Sequence, residues 1–211
     1  LKAQCDYVIV LYHGGKEFYR YPSPMLQRYC RKFVDKGANL VVCQHSHCIG
    51  SRENYNGSSI IYGQGNFIFN SDFFVNHQEF VKDAMLVTVE VTKDDFVVSE
   101  LPIRRTDNGT RLATEVEAAE TLKAYRKRSE EIKDSHFVIQ AYKNFADTHV
   151  KRYLREFLGR SFIVRAINAL VGRKLVELIL GNTSYLAIQN YLECEAHHEL
   201  FLRGVKNINK K

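Results

Sequence analysis

Through the first hundred positions the apolar residues fall in short unbroken or alternating runs, and after about residue 114 they recur at helical spacing. Tyr7-Val8-Ile9-Val10-Leu11-Tyr12 is a continuous β-branched and aromatic run that predicts a strand buried on both faces, stopped by His13-Gly14-Gly15. Ser23 ahead of Pro24 opens a helix, with Met25, Tyr29, Phe33 and Val34 as its apolar positions and Gly37 as its left-handed stop. Leu40-Val41-Val42 reads as a second buried strand, and the polarity switch at Gln44, just before His45-Ser46-His47, marks where the chain leaves the sheet. Strand, helix, strand, with each strand closing on histidine, predicts a right-handed βαβ unit that carries imidazoles on one rim. Chemistry in open α/β sheets gathers at that carboxyl edge.

Asn54-Tyr55-Asn56-Gly57 holds a hairpin-type Asn-Gly turn, followed by a strand at Ser59-Ile60-Ile61-Tyr62. That strand runs into Gly63-Gln64-Gly65-Asn66-Phe67, a tight glycine turn that puts Asn66 near the same rim. Residues 84–91 and 96–103 predict an antiparallel hairpin around Thr92 to Asp95, and Asp107-Asn108-Gly109 closes the β-rich part. Thr114-Glu115-Val116-Glu117 is a capping box, opening a helix to about Lys133. Further helices are expected over about 135–158, 161–180 and 184–202, broken near Gly159, Gly181-Asn182 and Gly204. The pattern therefore divides into residues 1–110, an α/β part, and 111–211, a carboxy-terminal all-helical extension.

With 45% hydrophobic residues, the 211-residue chain can bury a sizeable core and is not disordered. Five cysteines at 5, 30, 43, 48 and 194 form no CxxC pair, which argues against a zinc ribbon or a disulfide framework and fits a cytoplasm-facing or membrane-associated location. No run reaches the eighteen or so apolar residues of a membrane span. The first residues resemble the end of a helix feeding a strand, so further chain, with any signal or anchor, is expected upstream. Arg152, Arg155, Arg160, Arg165, Arg173 and Lys174 make the helical region basic, beside apolar Tyr153, Leu154, Phe157, Phe162, Ile163, Ile167 and Leu170. Such a stripe either packs on its own domain with the charges solvated or lies on an anionic membrane surface. No recognition motif accompanies it, so nucleic acid is not an expected partner.

His45 and His47 sit at i and i+2, and they can converge on one centre only where the backbone after the strand is irregular. Neutral imidazole is the commonest ligand for zinc and similar metals, while the plain alternative is a turn with two solvated histidines. Glu17 is either a proton carrier near His13 or a surface charge, and Asn66 either orients a ligand or forms a turn. Cys43 is expected to be a small buried residue and His77 a weak extra ligand candidate.

Taken together, three motifs resemble the CapA-like family of bacterial capsule and poly-gamma-glutamate synthesis, which is related to the calcineurin-like metallophosphoesterases. His13-Gly14-Gly15-Lys16-Glu17-Phe18 is similar to its His-Trp-Gly-x-Glu-Tyr, Cys43-Gln44-His45-Ser46-His47 to its Gly-x-His-Pro-His, and Tyr62-Gly63-Gln64-Gly65-Asn66-Phe67 to its Tyr-Ser-x-Gly-Asn-Phe. Gly14, Cys43 and Ser46 depart from the family's Trp, Gly and Pro and alter the pocket wall. The resemblance covers roughly residues 1–105 and implies the carboxy-terminal half of a sandwich-like metallophosphoesterase domain. It implies two divalent metal ions (Mn, Fe or Zn), His13 and His45 on one and His47 on the other, with aspartates and further ligands supplied by an amino-terminal half outside this chain. A phosphorylated or polymer-precursor substrate is implied, with Glu17 and Asn66 as assisting residues. The rival expectation is a non-catalytic binding or assembly component of a membrane-associated polymer synthesis and export complex.

Overall fold

A computed structural model of the chain describes residues 4–68, 78–93, 95–106, 109–157, 162–194, 197 and 205. His77 lies outside them. The chain parts into two compact units, Leu1–Ala146 and Asp147–Lys211, so the first unit runs well past residue 110.

In the first unit, β1 (Ile9–His13), α1 (Pro24–Asp35), β2 (Leu40–Gln44), β3 (Arg52–Tyr55) and β4 (Ser58–Ile61) build a four-stranded sheet in the order β1-β2-β4-β3. β1, β2 and β4 are parallel and β3 is antiparallel to β4. The Asn56-Gly57 turn between β3 and β4 has positive φ at both residues, as a tight hairpin of that twist requires. A short helix α2 (Gln78–Val81) leads into a second sheet, β5 (Asp83–Val91), β6 (Phe96–Thr106) and β7 (Gly109–Leu112), in that order and antiparallel throughout. β7 extends the sheet past the turn expected to end it. Its side chains, Thr110, Arg111 and Leu112, carry too little alternation to advertise a strand, and its pairing to Ile103–Thr106 holds it.

Both faces of β2 are covered. On one, Leu26, Cys30 and Val34 of α1 meet Val41, Cys43, Ile60 and Tyr62, together with Ile132, just after α3 (Glu115–Glu131), and Val138, near the start of α4 (Ser135–Phe157). On the other, Leu40, Val42 and Ile61 pack on Val87, Val89, Phe96 and Val98 of the second sheet. Each fully buried aliphatic side chain contributes about 1.5–3 kcal/mol, so this double burial fixes where β2 ends. β1 differs from expectation because it is the sheet's edge. Val10 and Tyr12 join the α1-side cluster, whereas Ile9 and Leu11 on the opposite face are 47% and 72% exposed, beyond the reach of the second sheet's apolar patch.

α1 begins as expected, Ser23 Oγ accepting from Leu26 N at 3.1 Å. Its buried stripe is Leu26, Cys30 and Val34, and Met25 and Tyr29 face solvent one helical step away. α3 carries the expected capping box between Thr114 and Glu117.

The second unit contains the end of α4, then α5 (Phe162–Leu170), α6 (Leu175–Ile179) and α7 (Asn182–Glu193). The helix expected over 161–180 is split because Gly172 and Arg173 turn left-handed, at φ 64° and 63°, and Asn168 Oδ1 accepts from Leu175 N to start α6. Among the described residues no helix is long and apolar enough to cross a membrane.

Candidate functional site

His13 is the last residue of β1 and pairs in register with Gln44, the last of β2. The parallel register therefore delivers His13 and His45 to the same carboxyl edge. His13 Nε2 lies 3.0 Å from His45 Nδ1, one ring donating and the other accepting, with ring centroids 4.9 Å apart and the planes tilted by 64°.

The backbone beyond β2 is irregular in the way that convergence demands. His45 and His47 both have positive φ, 88° and 56°, a conformation costing a non-glycine residue about 1–3 kcal/mol and concentrated at functional sites. Their ring centroids stand 6.1 Å apart. Neighbouring segments hold the turn: Phe18 N donates to Ser46 O at 2.8 Å, and buried Ser46 donates its hydroxyl to Cys48 O at 3.1 Å. Ile49 forms a bridge to Gln64, bringing the glycine turn alongside. Gly65 must be glycine: its φ is +77°, and a Cβ there would lie 2.8 Å from Asp83 O.

That turn brings Asn66 to His47, where Nδ1–H donates to Asn66 Oδ1 at 2.9 Å. In the neutral ring this tautomer leaves Nε2 as the lone-pair nitrogen. Asn66 Nδ2 is buried with no hydrogen-bond partner, a donor group that a bound ligand or water at the site would satisfy. The three imidazoles and Asn66 line one cleft of about 380 Å³, walled by Phe67 and Met85.

Glu17, expected to assist, falls outside it, and Cys43 is buried as expected. Glu17 is exposed in the turn after β1 and is not among the described residues lining the cleft. Cys43 is wholly buried on the core side with its Sγ 3.4 Å from that of Cys30, and this contact together with burial pushes its thiol far above the ordinary range. Burial raises the Cys48 thiol as well. Neither sulfur is poised to become a thiolate ligand. Among the described residues no three His, Cys, Asp or Glu side chains gather as they would around an ion.

The motif surroundings act as struts. Tyr62, beside the glycine turn, donates its hydroxyl to Glu53 at 2.6 Å, and Arg31 of α1 pairs with the same carboxylate. Phe18, whose ring centroid is 6.2 Å from that of His47, and Ser46 stand in the sequence only as motif positions, with no role in holding the turn visible there. Their roles come from a long-range backbone hydrogen bond that no local pattern announces.

Parallel strands β1 and β2 thus bring imidazoles together at the carboxyl edge of the first sheet. Residues 1–71 match the family described as bacterial capsule synthesis protein PGA_cap. Over 68 residues, 32% of this chain, the sequence is 37% identical to the capsule biosynthesis protein CapA of Bacillus anthracis and to the PGA biosynthesis protein CapA of Bacillus subtilis (strain 168). Over this segment the chain is similar to the capsule synthesis family and to its CapA proteins. The match spans 16% and 18% of the length of those two relatives.

Proposed function

We propose that the protein serves cell-surface polymer biosynthesis as a metal-dependent, phosphoesterase-like hydrolase acting on a phosphorylated or polymer-precursor substrate. One observation carries this: the approach of His13 Nε2 to His45 Nδ1 at 3.0 Å on the rim where His47 also stands. Two nitrogens each about 2.0–2.1 Å from a tetrahedral ion lie about 3.3 Å apart, so a slight parting of the rings makes room for a shared divalent ion. His47, its ring fixed by Asn66, would hold a second ion. The ions would be Mn, Fe or Zn, and longer relatives leave ample polypeptide to supply oxygen donors from outside this segment.

Bound metal would polarise a phosphoryl oxygen and lower the pKa of water. This chain's residues have simpler tasks. His13 and His45 present nitrogens from two adjacent strand ends. Asn66 orients the His47 ring and offers its unsatisfied amide N–H to an incoming oxyanion. Glu17, exposed outside the cleft, is given no contact with the reacting atoms.

The test is metal-dependent hydrolysis of p-nitrophenyl phosphate by the full-length natural protein. His45→Ala and His47→Ala should each lower it at least about 100-fold. Metal-independent hydrolysis, or hydrolysis unchanged in both variants, would contradict the proposal. No hydrolysis by a protein that still folds would favour the binding or assembly role instead.

A further inference from the structure

α5 is turned inside out for a helix of a globular unit. At about 100° per residue Phe162, Ile163, Ala166, Ile167 and Leu170 share one face about 140° wide, with Arg165 and Asn168 on the other side. A helix packed in a core buries such a face. Here Phe162 and Leu170 are each 85% exposed and Ile163 69%; on that face only the small Ala166 is partly covered, as are Val164 and Asn168 off it. No residue of α5 is buried. Leu178 and Ile179 of α6 and Leu186 and Leu192 of α7 are also exposed.

Charge says what chemistry this surface fits. Residues 147–211 carry eleven Lys and Arg against six Asp and Glu, so +5 of the chain's net +6 lies in the second unit. Arg165, Arg173 and Lys174, on α5 and immediately after it, are exposed. Apolar side chains facing solvent next to a local excess of cations match a lipid headgroup layer, apolar below and anionic above. A protein partner would need acidic complement and a shaped apolar groove together, whereas a bilayer offers both along any direction. At nine residues α5 is about 14 Å long, enough to lie in the interface and far too short to cross it.

We infer that the second unit docks on an anionic membrane surface, with Phe162, Ile163, Ile167 and Leu170 inserted at the boundary between headgroups and acyl chains and Arg165, Arg173 and Lys174 at headgroup level. This goes beyond the hydrolase proposal and does not depend on it, since no residue of the histidine cleft takes part.

The test is co-sedimentation of the 211-residue chain with vesicles of equal parts phosphatidylglycerol and phosphatidylcholine, against vesicles of phosphatidylcholine alone. Binding is expected to the anionic vesicles only and to weaken as salt rises. The pair Arg173→Asn and Lys174→Gln should weaken it roughly 25-fold, about five-fold for each basic residue removed. Phe162→Glu with Leu170→Glu should abolish it while circular dichroism stays that of the parent, because both side chains are exposed. Equal binding to both vesicle types, no binding, or binding unchanged in both variants would overturn the inference. So would a self-associated chain that the Phe162 and Leu170 changes turn monomeric without altering vesicle binding, which would assign the face to a second copy.

Discussion

The Asn66 side chain reaches across nineteen positions of sequence to fix one ring: its Oδ1 accepts from His47 Nδ1 at 2.9 Å. His47 stands in the left-handed region with φ 56°, a backbone that non-glycine residues seldom adopt. An imidazole aimed by a partner on its far nitrogen is how metal-binding histidines are commonly held.

Removing that partner should therefore cost function more than stability. Asn66→Ala in the full-length protein is expected to weaken metal affinity about 10–100-fold, read by competition with a chelator, with little change in melting temperature. An affinity equal to that of the parent would mean that the pair is only a turn device.

Gly65→Ala should behave oppositely. The new methyl would press on Asp83 O in a backbone held at φ +77°, and a loss of about 1–3 kcal/mol in urea unfolding is expected. A stability matching the parent would show that the glycine turn relaxes freely.

Tyr21 ties the loop after β1 to the end of α3, donating to Glu131 at 2.7 Å. Burial, then the hydrogen bond and charge of Glu131, push its hydroxyl up to about 12. Because the folded value lies above the ordinary tyrosine value of about 10, the contribution is complete below pH 10 and is lost as pH climbs through 12. Tyr21→Phe should lower stability by about 1–2 kcal/mol near neutral pH, and the gap to the parent should close across that alkaline window. Denaturant titrations at pH 7 and at stepped alkaline pH would check it, and a gap that is constant with pH would contradict the assignment.

What the sequence made legible follows from how local each cause is. Leu40–Cys43 could be read as a doubly buried strand because all four residues are apolar and the run is short, and the Asn56-Gly57 turn because few other pairs suit its backbone. The Ser23 and Thr114 caps were equally local. β1 was misjudged because Ile9 and Leu11 look like core residues whether a strand is central or at an edge, and only the strand order decides. The site divides in the same way. Histidines at strand ends and Asn66 in a glycine turn were visible as candidates, and the register of β1 on β2 brings His13 to His45. That Glu17 lies outside the cleft was not visible, since four residues of separation say nothing about direction once the chain has left the strand.

Metal stoichiometry of the full-length protein, measured by inductively coupled plasma mass spectrometry on the parent, His13→Ala, His45→Ala and His47→Ala, tests the central claim most directly. A shared ion between the first two rings predicts that His13→Ala and His45→Ala each lose the same metal equivalent, and that His47→Ala loses a different one. Metal content identical in all four proteins would contradict it.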